Sequence, residues 1–350
     1  MKIGILTWYF AKNYGARAQA YALYMTIKRL GHECEFINYV PDSNSEIDWK
    51  SNYNCGDISY KYFYMFRCLW RCSLYQLNTK NFPHSKKIEA ADIDKLGYDL
   101  IIIGSDSVLN IHHPLNRGVY WGVGINTTPF IYYAPSCEYM NPDYADFKNG
   151  EKIAIANALC LSARDSNTQQ LLERFTNKEV PIVCDPIFLY EFQVKKYKIK
   201  SNYILMYTFS PWGRYREQIK KYAIDNNLKI ISVGRYSVWA DISYDCASVE
   251  QWISLLKNAS IVLTDSFHGM AFAIKERKKI IWLSRHDKVN KCKSLLDYFG
   301  LCDVMDYQGG NVEDYLSRNS IDINKLNKIM NENIHNSLKY LTESIQLIKK

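Results

Sequence analysis

The stretch IVLTDSFHGMAFAI, residues 261–274, decides the fold. Its first three residues are apolar and predict a short buried strand, and residues 269–276 have the apolar composition of a buried helix. The residues KIIWL, 279–283, predict a second strand. A strand, a helix and a strand in succession predict a parallel β-α-β unit. His268 falls at the carboxyl end of the first strand, the edge at which open α/β sheets bind ligands.

The same alternation of strand and helix runs along the whole chain. Strand KIGILTW leads into a predicted helix at 16–30 and strand CEFINYV, and further strands are predicted at YDLIIIG (98–104), PFIYYA (129–134) and PIVCD (181–185). The lysine-rich stretch at 193–202 predicts a linker, after which the alternation starts again. We therefore predict an α/β chain with two Rossmann-like domains and an interdomain cleft. The predicted bounds are 1–192 and 203–321, with a C-terminal helix at 322–350 that packs back on the first domain.

Composition narrows the class of protein. The chain has 350 residues, 47% of them apolar and 23% charged, as in an ordinary globular protein. A formal net charge of +8 favours anionic ligands without choosing among them. The ten cysteines include no C-x-x-C pair, so we expect free thiols, no metal site and a cytoplasmic location. No nucleic-acid recognition module accompanies the positive charge, and nucleic acid is not an expected partner.

Five short blocks, taken in order, resemble the signature of the polysaccharide pyruvyl transferase family. They are NYGARAQAYAL (13–23), YDLIIIGSDSVLN (98–110), LSARD (161–165), CDPIFL (184–189) and TDSFHG (264–269). The resemblance implies a fold similar to that of the B-type glycosyltransferases. It also implies phosphoenolpyruvate as donor, no cofactor, and pyruvate installed as a cyclic ketal on two sugar hydroxyls. The implied acceptor is a capsular or other cell-surface polysaccharide, or its polyprenyl-pyrophosphate-linked precursor.

The predicted donor site centres on His268. Ketal transfer requires protonation of the enol carbon of the donor, and a histidine pKa suits that proton transfer. We expect the start of the following helix to bind the leaving phosphate, with Ser266 beside it and Gly269 allowing close approach to the backbone. The alternative is a histidine that only hydrogen-bonds a neighbouring loop.

This chain departs from the family pattern immediately before the histidine. Many relatives place an arginine there, whereas this chain has Ser266, which cannot supply the charge. Another cation is therefore expected to hold the phosphate or carboxylate of the donor. The candidates are Arg235 and Arg285, each of which directly follows a predicted strand, and Arg164 in the block SARD. Lys291 and its lysine neighbours are expected to form a solvated basic face.

The predicted acceptor site lies in the first domain. Asp106 and Asn110 follow the strand LIIIG and are expected to bind or deprotonate an acceptor hydroxyl, although helix capping would also explain them. Asn13, Tyr14 and Arg17 lie in a turn and in the first turn of a helix after the first strand, and they complete the predicted acceptor residues.

Residues 60–77 combine aromatic and basic side chains at helical spacing. Such a helix suits a membrane interface or a pyrophosphate-lipid acceptor, which adds peripheral contact with the inner face of the plasma membrane to the expectations. Core packing of the aromatic residues is the alternative. Two other functions stay open: a glycosyltransferase that uses a nucleotide-sugar, and a non-catalytic glycan-assembly protein.

Overall fold

The computed structural model describes residues 1–40, 70, 82–140, 147, 149–195, 199–210, 212–286 and 289–349. It divides into two compact units. Unit 1 consists of the described residues within Met1–Asp48, Thr79–Glu191 and Ile329–Lys350, and unit 2 of those within Trp49–Asn78 and Phe192–Lys328.

Unit 1 is built on a parallel sheet with the strand order β2-β1-β3-β4. Its strands are β1 (Lys2–Leu6), β2 (Glu33–Phe36), β3 (Leu100–Ile103) and β4 (Phe130–Tyr132). Its helices include α1 (Tyr14–Arg29), α2 (Asn149–Ala156) and α3 (Ser166–Thr176). The chain passes from β1 to β2 on one side and then returns to place β3 on the other. The strand order therefore reverses between β1 and β3, and such a point opens a crevice for ligands in doubly wound sheets.

Unit 2 contains a second parallel sheet, with the order β7-β6-β5-β8-β9. Its strands are β5 (Tyr203–Tyr207), β6 (Lys229–Val233), β7 (Ile242–Tyr244), β8 (Ile261–Thr264) and β9 (Lys279–Trp282). Its helices are α4 (Arg216–Asp225), α5 (Val249–Asn258), α6 (Phe267–Lys275), α7 (Val289–Tyr298) and α8 (Val312–Arg318), and α9 (Ile323–Gln346) ends the chain. Here the strand order reverses between β5 and β8. The two parallel sheets confirm the predicted α/β class with two Rossmann-like halves.

Helix α6 shows why the opening stretch is diagnostic. Each of its residues is buried, including Lys275 at its end. A helix that is apolar on all sides is stable only inside a protein, so this segment lies in the core beside its own strand. Because α6 is enclosed, the side chains in its first turn have fixed positions.

The last helix supplies hydrogen bonds to the sheet of unit 1. The Tyr340 hydroxyl donates to the carbonyl of Tyr132, and the backbone N–H of Cys184 donates to the Ser337 hydroxyl. The predicted strand at 181–185 is wrong in extent, because that segment forms a single bridge between Ala163 and Ile182. The Cys184 N–H is bound to a side chain instead of to a neighbouring strand. No helix in the described part of the chain is long and apolar enough to cross a membrane.

Candidate active site

His268 lies just after the carboxyl end of β8, next to the point at which the strand order of unit 2 reverses. His268 is the second residue of α6, and its side chain is 7% exposed. Ser266 precedes the helix in an extended conformation, and its hydroxyl accepts a hydrogen bond from the N–H of Gly269 at 3.3 Å. Ser266 is therefore the N-cap of the helix that carries the histidine.

Gly269 has a packing role in addition to the predicted one. A Cβ at this position would lie 2.2 Å from the Thr264 hydroxyl and 3.0 Å from the Tyr207 ring. The Thr264 hydroxyl donates to the carbonyl of Tyr207 at 2.7 Å, which joins β8 to β5. Glycine lets α6 lie against these two strands, and this contact explains the residue without a ligand. Close approach of a phosphate to Gly269 stays a prediction.

Asp265 holds the loop after β5 next to the start of α6. Its carboxylate accepts hydrogen bonds from the N–H groups of Phe209 and Ser210 and from the Trp212 indole, at 2.8, 3.0 and 2.8 Å. Burial raises the pKa of Asp265, although these donors and the nearby Arg285 act in the opposite direction. The Asp265 carboxylate therefore links the loop after β5 to the end of β8, the two strands between which the strand order reverses. The sequence reading did not assign it a role.

Two of the predicted donor-binding arginines meet at one aromatic ring in this loop. Arg235 donates to the carbonyl of Phe209 at 2.7 Å, and its guanidinium lies 4.9 Å from the centroid of the Phe209 ring. The guanidinium of Arg285 lies 5.8 Å from the same centroid. The residues come from the ends of β6 and β9, on opposite sides of β5, and they concentrate positive charge at this edge.

Lys291 departs from the expected solvated face. It is only 6% exposed, and its ammonium lies 5.4 Å from the centroid of the Phe267 ring. The expectation that Lys291 is solvated was wrong, because α7 places this residue toward the first turn of α6. The arrangement adds a buried cation beside the helix that carries His268.

In unit 1 the corresponding position is occupied by carboxylates. Asp106 follows β3, and its backbone forms a bridge with Pro135, which follows β4. A Cβ at Gly104 would lie 2.3 Å from the carbonyl of Tyr133, so the chain turns close to β4 just before Asp106. The side chain of Asp106 keeps 11% of its surface exposed.

Arg164 joins this acidic group through a buried ion pair. Its guanidinium lies 2.9 Å from the Asp185 carboxylate and 3.8 Å from that of Asp106, and both Arg164 and Asp185 are almost wholly buried. Burial acts to lower the pKa of Arg164, but the surrounding carboxylates, led by Asp185, raise it overall. Arg164 lies in unit 1 and is engaged with carboxylates, so the geometry favours a structural role over the predicted donor contact.

Glu138 belongs to the same group and was missed by the sequence reading. Its two carboxylate oxygens accept hydrogen bonds from the Ser107 hydroxyl at 2.6 Å and the Asn110 amide at 2.9 Å. The Asn110 side-chain oxygen in turn accepts from the N–H of His112. Glu138 follows β4 by a few residues, as Asp106 follows β3, so the rule that selected Asp106 would also have selected Glu138.

The backbone is strained in these loops. Asp106, Ala134 and Glu138 have φ values of 77°, 51° and 59°, in the left-handed region that residues other than glycine rarely adopt. Such residues cluster at functional sites, where the surrounding fold holds them in place.

The predicted acceptor residues of the first helix have structural partners. The Asn13 side chain caps α1 by accepting from the N–H of Ala16, and Tyr14 is buried. Arg17 is also buried and donates to the carbonyl of Ala11 at 2.9 Å. These contacts hold the loop that follows β1, and direct contact with an acceptor stays a prediction for all three.

Two further expectations concern the aromatic and basic stretch and a metal site. The aromatic and basic stretch at 60–77 lies outside the described residues, apart from Trp70. Within the described part of the chain, no three His, Cys, Asp or Glu side chains are grouped so that they could hold a metal ion.

The two sheets, each with polar side chains where its strand order reverses, define an α/β protein of the two-unit Rossmann type. The chain belongs to the polysaccharide pyruvyl transferase family, whose model matches residues 13–287. The match includes Asn13, Asp106, Arg164 and His268 and covers most of the sequence, which confirms the resemblance. The protein is accordingly a transferase of a family that acts on polysaccharide. No curated protein matches the sequence significantly.

Solved structures share the fold at low sequence identity. UGT89C1 of Arabidopsis thaliana, in complex with UDP, has a TM-score of 0.52 and 11% identity over 98% of each chain. The glycosyltransferase SnogD of Streptomyces nogalater has a TM-score of 0.51 and 10% identity over 100% of this chain and 99% of its own. MnaA of S. aureus, solved with UDP, has a TM-score of 0.51 and 14% identity over 95% and 90%. These similarities confirm the predicted B-type glycosyltransferase fold and, at such identities, nothing beyond the fold.

Proposed function

We propose that this protein transfers pyruvate from phosphoenolpyruvate to two hydroxyls of one sugar, forming a cyclic ketal and releasing phosphate. The acceptor is a capsular or other cell-surface polysaccharide or its lipid-linked precursor, modified in the cytoplasm or at the inner face of the plasma membrane. Family membership supports pyruvyl transfer to polysaccharide. The observation that carries the proposal is the position of His268 in the first turn of α6, beside cationic side chains of the same unit.

Unit 2 is the proposed donor side. Phosphoenolpyruvate carries a phosphate and a carboxylate, and both need fixed positive charge. Arg235 and Arg285 come together at Phe209, and Lys291 lies against Phe267. Guanidinium groups bind phosphate and carboxylate with two parallel hydrogen bonds, which also orients the bound anion. The N–H groups in the first turn of α6 favour an anion in the same place.

The chemistry assigns a proton transfer to His268. A protonated imidazole gives its proton to the methylene carbon of the donor, which becomes a methyl group, and positive charge develops at the adjacent carbon. One sugar hydroxyl attacks that carbon, the bond to the phosphate oxygen breaks, and the second hydroxyl closes the ketal. Of the two hydroxyl protons, one restores the imidazole and the other leaves with phosphate.

Unit 1 is the proposed acceptor side. Asp106 keeps part of its side chain exposed, whereas its partners Arg164 and Asp185 are enclosed. A carboxylate in that position can accept the proton of an attacking hydroxyl and pass it to the departing phosphate. Asn110 is bound to Glu138 and to the backbone of its own loop, so we assign it to support of this site.

Phosphate release tests the proposal directly. Purified protein, phosphoenolpyruvate and an acceptor glycan should release phosphate and form a pyruvylated product that mass spectrometry detects. Phosphate release should depend on the acceptor and should be lost in the Asp106→Asn variant. This result would support both phosphoenolpyruvate as the donor and Asp106 as the group that accepts the hydroxyl proton. Phosphate release without any pyruvylated product would contradict ketal transfer.

A nucleotide-sugar glycosyltransferase is the second candidate, because two structures of the same fold contain UDP. Thermal shift separates the two donors, since a ligand that binds the folded state stabilises it in proportion to the logarithm of its concentration over its dissociation constant. Stabilisation by UDP-sugars and not by phosphoenolpyruvate would favour the glycosyltransferase.

A further inference from the structure

Three large aromatic side chains are exposed within the described part of the chain: Tyr21, Trp70 and Tyr139. Tyr139 is 42% exposed and lies between Glu138 and Met140, in the loop that follows β4. An exposed aromatic ring beside a ligand-binding edge offers a flat apolar surface to a ligand. Tyr21, by comparison, lies on the outer surface of α1 and packs edge-on against Tyr190.

A second ring accompanies Tyr139. The His112 ring is nearly parallel to that of Tyr139, with an angle of 18° between the planes and 6.5 Å between the centroids, and His112 is also exposed. Together they present flat surfaces on the loops that follow β3 and β4. A pyranose ring has a face of C–H bonds that packs against such a surface, while its hydroxyls stay available to polar groups.

The backbone fixes these rings relative to the acidic group. The Asn167 amide donates to the carbonyls of both Glu138 and Met140, on either side of Tyr139. The N–H of His112 donates to Asn110, whose amide donates to Glu138. The two aromatic residues are thus held by the same hydrogen-bond network that positions the carboxylates. A preorganised surface of this kind binds a ligand at lower entropic cost than a mobile loop does.

We propose that Tyr139 and His112 form a sugar-binding platform, on which one pyranose ring of the acceptor stacks next to Asp106 and Glu138. The inference rests on the proposed function in taking the acceptor to be a sugar, and it adds the residues that recognise it. The Asp106 carboxylate accepts a hydrogen bond from a sugar hydroxyl, Glu138 holds the loop through Ser107 and Asn110, and the two rings cover the apolar face of the sugar. The platform lies wholly within unit 1, separate from the proposed donor residues.

Saturation-transfer NMR tests the platform without requiring catalysis. The probes are the methyl pyranosides of glucose, galactose, mannose and N-acetylglucosamine, at concentrations of tens of millimolar. Wild-type protein should transfer saturation from aromatic protons to the ring C–H protons of at least one probe. Tyr139→Ala should abolish the transfer, Tyr139→Phe should retain it, and the control Tyr21→Ala should leave it unchanged. Absence of transfer in the wild type, or a signal that survives in folded Tyr139→Ala, would overturn the proposal.

Kinetics provides a second measurement once an acceptor is in hand. Tyr139→Ala should raise the acceptor KM about tenfold, the usual scale of an aromatic contact, and leave the donor KM unchanged. Stabilisation by phosphoenolpyruvate should also be unchanged in this variant. A chain that binds pyranosides through Tyr139 but gains no stability from phosphoenolpyruvate would keep the platform and contradict the proposed donor, so the two ideas fail separately.

Discussion

The two units share an architecture and differ in the charge at the edge where ligands are expected. In unit 1 the loops after β3 and β4 carry Asp106 and Glu138, and the guanidinium of Arg164 beside Asp106 is buried against Asp185. In unit 2 the loops after β6 and β9 carry Arg235 and Arg285, and the Asp265 carboxylate after β8 accepts three hydrogen bonds from the loop after β5.

This difference in charge is the basis for proposing that the two units bind different substrates. Both sheets offer a strand reversal and a helix N-terminus, so the fold alone does not decide which ligand binds where. The acidic edge suits neutral hydroxyls that must lose a proton, and the basic edge suits an anion such as phosphoenolpyruvate. The comparison therefore supports the proposal of an acceptor side in unit 1 and a donor side in unit 2.

The sharpest test of the comparison is replacement of the histidine at the basic edge. His268→Asn keeps a polar side chain and removes the acid, so turnover should fall about 10²–10⁴-fold. The loss should appear in kcat, with the donor KM little changed, because proton transfer is needed only in the transition state. Steady-state kinetics with phosphoenolpyruvate measures both constants. His335→Asn, on the exposed side of α9, is the matched control. Wild-type turnover by His268→Asn would remove the mechanism.

At the acidic edge, the largest effect expected is on stability. Arg164→Leu leaves the fully enclosed Asp185 carboxylate without its ion-pair partner, which should lower the free energy of unfolding by about 3–5 kcal/mol. Urea unfolding followed by tryptophan fluorescence measures the change. Lys221→Leu is the control, because its pair with Asp225 has a similar distance but lies exposed, and its unfolding midpoint should not move. Equal midpoints for the two variants would show that the buried network does not support unit 1.

Removal of one arginine at the basic edge should weaken donor binding by a smaller amount. Arg285→Ala or Arg235→Ala should raise the KM for phosphoenolpyruvate, with a charge-assisted contact worth roughly 1.5–3 kcal/mol. Replacement by lysine should recover only part of the loss, since lysine lacks the planar fork. Arg318→Ala, at an exposed position of α8, serves as the control. If neither Arg235→Ala nor Arg285→Ala changes the KM for phosphoenolpyruvate, the donor binds elsewhere. The difference in charge between the two units would then not explain where each substrate binds.

The sequence predicted the sheets of both units well, because buried parallel strands leave a strong apolar signal. Helix α6 begins two residues before the predicted start. The short edge strand β7 was missed, since ISY is only partly buried and lacks an apolar run. PIVCD has the composition of a strand, but its backbone is engaged by the side chain of Ser337, a partner more than 150 residues away.

The site was predicted less completely, for a physical reason. Rules based on strand ends find residues such as Asp106, His268 and Arg285, because those rules need only local sequence. They do not reveal which polar groups pair with one another. The engagement of Arg164 with Asp185, and the burial of Lys291 against Phe267, depend on long-range packing that no local pattern encodes.

The smallest expected effect distinguishes two roles of Ser266: capping of helix α6 and binding of the donor. Ser266→Ala removes the N-cap of α6 and should lower the free energy of unfolding by about 1 kcal/mol. Ser266→Asn keeps a cap and should restore stability. Ser248→Ala is the matched control, because Ser248 caps α5 in the same unit. If Ser266 only caps, both alanine variants lose similar stability and keep the donor KM. If it also binds the donor, as the family-like block suggests, Ser266→Ala alone raises the KM, and the asparagine variant does not fully correct it.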